Sequence, residues 1–483
     1  MSIRPSQELL GRLAQLLGPK GFEQDPHSLA PWLVDWRGRY RGAAAAMLSP
    51  ENAAETAEVV RLCAAERVAL VPQGGNSSMV GGATPDGSGD ALLLSMRRMN
   101  KIRSISGEDN RVVCEAGVIL AEVHAAAAAL GRRFPLTLGA RGSATVGGLV
   151  STNAGGTQVL RFGTMRALVE GVEAVLPDGS LFKGLRPLKK DNRGYDLKQL
   201  LIGAEGTLGV VTAASLRLVP AIGSRAVAWV GVASAEAALQ LLRLAEQRTG
   251  EAVESFELIP CSSLDLVLTH IPGTRPPLGG RHSWHVLVEA TAPTGSPSPE
   301  ALLLSVLEEA VAEGLVEDAA LAANEAQAED FWRIRDSISD AERKDGEAAK
   351  HDISVEVAHM PAFIAEASAA VQERFPGTRV NAFGHLGDGN VHFNVRAPRV
   401  APPDWLAREG ATISAFVHDL VTAAGGSISA EHGIGQMKVE ELARLGEPAR
   451  LAAMRAIKQA LDPAGIMNPG KLVPGLAEAP LRP

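Results

Sequence analysis

The spacing of apolar positions changes along the chain. In the opening stretch "MSIRPSQELLGRLAQLLGPKGF", Leu9, Leu10, Leu13, Leu16 and Leu17 recur at helical intervals. That pattern predicts an amphipathic helix ended by Gly18-Pro19, and it lacks the layout of an export signal. Residues 50–71 predict a helix and then the β-rich "VALVP". Strands are predicted at "ALLLSM" (91–96) and "RVVCEAGV" (111–118), and a helix at "ILAEVHAAAAALG", closed by Gly131. Glycine-rich stretches punctuate these elements: "QGGNSSMVGG" (73–82), "GARGSATVGGLVSTNAGG" (139–156) and "GAEGTLGVV" (203–211), the last followed by the strand "TAASLRLVP". After Pro220-Ala221-Ile222-Gly223 the pattern becomes strand and helix in alternation. "SRAVAWVGVAS" and "SWHVLVEATA" predict strands, and "AEAALQLLRLAEQRTG" and "SPEALLLSVLEEAVAEG" predict helices. An α+β domain over 223–420 follows from this. Residues 272–298 are rich in Pro, Gly and Ser and read as a loop, although one of those strands falls inside them. From 421 come a polar block, further helices and "DPAGIMNPGKLVP".

A chain of 483 residues with ample apolar material implies two or three domains. Its net charge of −8 and its short basic runs, free of interleaved aromatics, argue against nucleic acid as a partner. Cys63, Cys114 and Cys261 lie far apart and form no disulfide framework, which suits a reducing compartment. No apolar run is long enough to span a bilayer, so any membrane contact is expected to be peripheral.

A glycine loop after a strand can cradle a pyrophosphate with its backbone amides. The first loop has no Walker lysine-serine, and no GxGxxG opens a helix with an acidic residue at the required distance. One such loop alone is equally well a plain turn. Three in one domain point to a bound dinucleotide.

"PQGGNSSMVGG", "PLTLGARGSATVGGLVSTNAGG", "RFGTMRALVEGVEAVLPDG" and "GAEGTLGVVT" together resemble the flavin-binding domain of the vanillyl-alcohol oxidase superfamily, the p-cresol methylhydroxylase (PCMH) type. The resemblance implies an α+β fold: an FAD-binding domain of two α/β subdomains over 1–222, an α+β substrate (cap) domain over 223–420, and a helical C-terminal segment, 421–483, completing the active and flavin sites. It also implies which residues meet FAD. These are Pro72, Gly74, Gly75, Asn76, Ser77 and Ser78; then Pro135, Thr137, Gly139, Ala144, Thr145, Gly148, Asn153, Gly155 and Gly156; then Glu205, Gly206, Gly209 and Val211. Members with covalent flavin often carry histidine in the first loop. Asn76 or Ser77 stands there instead, so the expected FAD is non-covalent.

The stretch "FGHLGDGNVHFNV" (383–395) sets His385 and His392 on either side of a tight turn. In a hairpin, Asn381, Phe383 and His385 would share a face, as would His392 and Asn394, with Val391, Phe393 and Val395 opposite. Two imidazoles and a carboxylate suit Zn²⁺ or Mn²⁺. Asp388 reads equally as a turn former. Glu431, beside His432 in "SAEHGIG", is the better carboxylate. Each histidine taken singly is equally a hydrogen-bonded structural residue. "GHLGDGNVHFNV" and "SAEHGIG" resemble the C-terminal signatures of FAD-dependent D-2-hydroxyacid dehydrogenases. By that resemblance His385, His392 and Glu431 are metal ligands, His432 is the catalytic base, and Asn468 of "NPGK" lies near the flavin.

In "EDFWRIRDSISDAERKDGEAAKHDIS", Phe331, Arg335 and Ser339 fall on one helical stripe, and Arg333 reads as a surface partner of Glu329. Arg335 borders the apolar face and needs an anion there, either an internal carboxylate or that of a substrate. The same resemblance implies that Arg335, Ser339 and Lys350 grip a distal carboxylate and that Asn394 also touches the substrate. The reaction expected is oxidation of a D-2-hydroxyacid, D-2-hydroxyglutarate foremost, to the 2-oxoacid by hydride transfer to FAD. The alternatives are D-lactate or another small D-2-hydroxyacid such as glycolate, then a non-redox alkyl-dihydroxyacetonephosphate synthase or a non-catalytic oxidase subunit. The expected electron acceptor is an electron-transfer flavoprotein, a quinone or a cytochrome. Family habit suggests a homodimer. The expected location is cytoplasmic, with the inner membrane as a peripheral contact.

Overall fold

The computed structural model describes residues 3–186, 188 and 190–475. The chain divides into two compact units. The first comprises Met1–Gly156, Gly163–Pro220 and Glu431–Pro483; the second comprises Thr157–Phe162 and Ala221–Ala430. Thus residues 421–430 fold with the second unit, and 431 onward return to the first. The six residues after the second glycine loop also belong to the second unit.

The first unit holds two main sheets. In one, Ala46–Leu48, Leu92–Ser95 and Leu70–Gln73 run parallel, with the short strand Phe22–Glu23 on its edge. These strands are almost wholly apolar because both faces are covered, as parallel strands require. The helices Gln7–Gly21 and Ala53–Glu66 seal that core through Leu9, Leu13, Val59, Val60 and Leu62. The N-terminal helix does not stop at Gly18-Pro19. It kinks there, with Gly18 at φ 64° and ψ −178°, and takes one further turn to Gly21. The second sheet is antiparallel, in the order Ile102–Ser106, Arg111–Glu115, Val210–Arg217, Val169–Val175, Leu181–Gly184.

The second unit is built on a seven-stranded antiparallel sheet, in the order Asp318–Leu321, Ser224–Val232, Trp284–Ala292, Val253–Pro260, Arg379–His385, Asn390–Arg396, Ala348–Ser354. Helices cover both faces, which accounts for strands such as Val253–Pro260 that are buried throughout and show no alternation. For that reason the strand leaves no pattern in the sequence. Trp284–Ala292 lies within the Pro/Gly/Ser-rich segment, so the loop predicted over 272–298 is in fact two loops flanking a strand.

On one face, Trp229, Leu287, Ile259 and Phe383 pack against Phe331, Ile334 and Ile338 of the helices Glu325–Asp336 and Ile338–Asp345. The predicted continuous stripe is interrupted at Ser337, which caps one helix and precedes the next. Ser339 therefore lies one helix beyond Arg335 and is exposed. Arg333 donates to the Pro272 carbonyl and pairs with Asp330, whereas Glu329 pairs with Arg225. That corrects the expected Arg333–Glu329 pair.

The hairpin of Arg379–His385 and Asn390–Arg396 depends on Gly384, where an added Cβ would sit 2.1 Å from the Asn390 carbonyl oxygen. Gly384→Ala should destabilise the protein by about 1–3 kcal/mol or more, measured as a lowered denaturation midpoint.

Candidate active site

In the first unit the three glycine stretches meet. A Cβ on Gly74 would fall 2.2 Å from Thr145 Oγ1, and one on Gly75 would fall 1.7 Å from the Ser143 carbonyl oxygen. The first and second loops thus touch backbone to backbone, which only glycine permits. Gly156 lies equally tight against the Thr137 carbonyl, at 2.2 Å. Gly206, at φ 72°, backs onto Pro72. Gly209, at φ 153°, immediately precedes the strand Val210–Arg217, and Val211 lies within it. Ser78 Oγ accepts from the amide of Gly82 and so closes its own turn. Asn153 Oδ1 accepts from Thr164 Oγ1 and the Arg166 amide.

The C-terminal segment returns to this place. The Asn468 amide donates to the Leu70 carbonyl, and Asn468 Nδ2 donates to the carbonyls of Gly82 (2.9 Å) and Glu205 (2.7 Å). Asn468 is thereby fixed beside the start of the strand Leu70–Gln73, which feeds the first loop. Nearby, burial lowers Lys471 to about 8 against the pull of Asp86 and Glu205.

Three side-chain oxygens on these loops are buried without a hydrogen-bond partner: Asn76 Oδ1, Thr145 Oγ1 and Asn468 Oδ1. Asn76 Nδ2 is already held by the Val34 carbonyl at 2.9 Å. An orphaned buried acceptor costs about 1–3 kcal/mol. Three on converging loops fit a bound polar group, and a dinucleotide such as FAD supplies one.

In the second unit, strand register assembles a polar patch on the face that carries Phe383. Asn381 opposes Asn394, Phe383 opposes His392, and His385 opposes Asn390. The next strand sets Lys350 opposite Asn394 and Asp352 opposite His392. The other neighbour sets Glu257 opposite His385. The His385 and His392 rings lie 5.6 Å apart, nearly perpendicular. Asp388 caps the intervening turn by accepting from the Asn390 amide.

Glu257, 1% exposed, organises this patch. Its Oε2 accepts from Arg335 Nε at 2.8 Å, and its Oε1 lies 2.7 Å from His385 Nδ1. Burial pushes the carboxyl up, but Arg335 and His385 outweigh it and hold Glu257 at about 2. The proton on the shared bond therefore belongs to His385 Nδ1. His385 Nε2 lies 3.3 Å from Arg335 Nη2. A carboxylate that holds one imidazole nitrogen is the kind of support that orients a metal-binding histidine.

A second buried acid, Glu342, lies under the patch. It accepts from Asn394 Nδ2 and Asn381 Nδ2, both at 2.7 Å, and pairs with Lys350 Nζ at 3.2 Å. Arg335 and Lys350 thus each face an internal carboxylate, and Ser339 is not beside them on one helical stripe as expected. The sequence reading missed Glu257, Glu342 and Asp352. For Glu257 a signal existed: an acid inside the apolar run "VESFELIP" must find a cation.

Residues 427–430 run along the strand Ala348–Ser354. Ser427 and Ser354 exchange both backbone hydrogen bonds, and the Ala430 amide donates to the Asp352 carbonyl at 3.3 Å. Glu431 is the next residue. His385 and His392, side by side on this sheet face, are donors of the kind a divalent cation such as Zn²⁺ or Mn²⁺ takes.

Comparison with known proteins covers nearly the whole chain. Residues 223–472 match the family described as FAD linked oxidases, C-terminal domain, and residues 44–184 match the FAD binding domain family. The chain is 37% identical over 463 residues to the mitochondrial D-2-hydroxyglutarate dehydrogenase of Arabidopsis thaliana, covering 95% of this chain and 80% of that protein. It is 35% identical over 460 residues to the D-2-hydroxyglutarate dehydrogenase of Xanthomonas citri pv. viticola, covering 95% and 96%. Its fold is similar to that of p-cresol methylhydroxylase, with a TM-score of 0.76 at 16% identity, covering 99% of this chain and 100% of that one.

Glu257→Gln should leave Arg335 buried without its counter-charge. A loss of about 3–5 kcal/mol in unfolding free energy is expected, read from chemical denaturation. Gly75→Ala should yield folded protein that purifies without flavin absorbance.

Proposed function

This chain belongs to the FAD-linked oxidases, in their D-2-hydroxyacid dehydrogenase branch, and on that premise we propose that it oxidises D-2-hydroxyglutarate to 2-oxoglutarate. One observation above all supports the reading: likeness to D-2-hydroxyglutarate dehydrogenases at 35–37% identity runs through both units. FAD, when bound, supplies the hydride acceptor, and a divalent cation, when bound, supplies a positive charge for the substrate 2-hydroxyl and carboxylate.

The orphaned oxygens of Asn76, Thr145 and Asn468 are the polar contacts we assign to FAD, with no covalent link. His385, with Nδ1 held by Glu257, and His392 are the proposed cation ligands, with Glu431 as the third. His432 takes the hydroxyl proton, since imidazole titrates near neutral pH. Arg335 and Lys350 form the anion-binding side of the patch. Arg335 pairs with Glu257 and Lys350 with Glu342, and we assign these two cations to the carboxylate groups of the substrate. Asn394 Nδ2 is committed to Glu342, which leaves its carbonyl oxygen to face substrate.

D-lactate is the second substrate to consider, because it offers the same reacting centre without a distal carboxylate. No helix among the described residues is long and apolar enough to cross a membrane. Burial raises the Cys63 and Cys114 thiols to about 12, so they are inert. A reducing, cytoplasmic setting, a homodimer and a separate electron acceptor complete the proposal.

Anaerobic mixing should bleach the flavin rapidly with D-2-hydroxyglutarate, slowly with D-lactate and not with the L-enantiomers. Fast bleaching by D-lactate would overturn the distal-carboxylate assignment. Lys350→Met should lower kcat/KM for D-2-hydroxyglutarate roughly 10- to 100-fold relative to D-lactate in the same variant. His432→Ala should abolish turnover with FAD retained. Chelation should suppress activity, and full activity in verified metal-free protein would remove the cation from the scheme.

A further inference from the structure

Glu205 stands in the third glycine loop, where the sequence resemblance assigns it to flavin. Its side chain points elsewhere. Oε1 accepts from the Ile434 amide at 2.8 Å, and Oε2 accepts from the Gly435 amide at 2.7 Å. Both oxygens thus grip consecutive amides two and three residues after His432. The backbone of Glu205 is equally fixed. It sits in the left-handed region at φ 50°, its amide donates to the Ser151 carbonyl at 2.8 Å, and its carbonyl accepts from Asn468 Nδ2. A non-glycine residue in that conformation has to be held by its surroundings.

The segment it holds is tight on every side. Gly433, at φ 81°, has no room for a Cβ, which would lie 2.7 Å from Glu205 Oε1. Gly435, at φ 52°, is pressed against the Val80 carbonyl, 2.3 Å from a built Cβ. The Val80 carbonyl also receives the Gln436 amide. Glu205 is 8% exposed; burial pushes its carboxyl up, and the two amides, Lys438 and Lys471 oppose that shift without cancelling it. A buried carboxylate spent on two backbone amides fixes the position and tilt of two consecutive peptide planes.

We propose that Glu205 is a positioning residue for His432, anchoring the 433–435 backbone so that the adjacent imidazole keeps its bearing on the substrate. This rests on His432 being the base. Glu205→Gln keeps the size but brings an N–H₂ where an acceptor is required. In the full-length, FAD-loaded enzyme it should retain flavin and hold KM for D-2-hydroxyglutarate within about 2-fold, while kcat falls roughly 10- to 100-fold, the cost of misplacing a reacting group by about 1 Å. In a His432→Ala background the same change should add nothing to the residual single-turnover bleaching rate, because both act through one group.

Loss of flavin from folded Glu205→Gln protein, an unchanged kcat, or a full multiplicative penalty in the His432→Ala background would each overturn the proposal. If Glu205→Gln fails to fold, Gly433→Ala substitutes. It drives a methyl group against the same carboxylate and should give the same loss in kcat with FAD retained; an unchanged kcat would overturn the proposal. Turnover by His432→Ala alone would overturn the base assignment instead, independently of Glu205.

Discussion

An ionised carboxylate sealed from water costs several kcal/mol unless other groups meet both its oxygens. Glu257 satisfies that demand with Arg335 on one oxygen and His385 on the other. The rest of the polar patch follows from this. The strand Val253–Pro260 must lie beside Arg379–His385, and the helix Glu325–Asp336 must present Arg335 to the same face. The tautomer of His385 is set by a residue 128 positions away in sequence. Glu342 does the same for Asn381, Asn394 and Lys350. Two buried acids therefore orient most of the polar side chains on this sheet face.

The first unit solves a similar problem with backbone. Its glycines are needed chiefly where one loop lies on another, as at Gly74, Gly75 and Gly156. Packing the loops so closely leaves polar oxygens on Asn76, Thr145 and Asn468 buried without a hydrogen-bond partner. Glu205 then joins the third loop to the segment after His432. The chain that shapes a flavin cradle is thus hydrogen-bonded to the chain that carries the proposed base.

The likeness to p-cresol methylhydroxylase is a likeness of fold at 16% identity, and a fold of this kind hosts unrelated chemistries. What separates this chain lies in the side chains on one sheet face and in the short stretch after 430. Substitutions there should alter substrate or chemistry, while substitutions in the glycine loops should alter cofactor retention.

Much was legible in the sequence because it is local. Glycine loops, the two-residue period around His385 and His392, and the strand-helix alternation after 223 each follow from neighbouring residues and known periods. Short signatures also sufficed to identify the family, since their spacing is local too. Other features were not local. The strand Val253–Pro260 is buried on both faces and has no period to detect. The break at Ser337 moved Ser339 off the stripe of Arg335, although helical spacing alone placed them together. Whether Arg335 and Lys350 face a substrate or a carboxylate of the chain depends on which strand lies beside which, and sheet order is written across distant segments. Sequence by itself determined the chemistry available to this protein. Tertiary structure alone decided which acids that chemistry leans on, because a buried charge is satisfied by whatever the fold brings within hydrogen-bond reach.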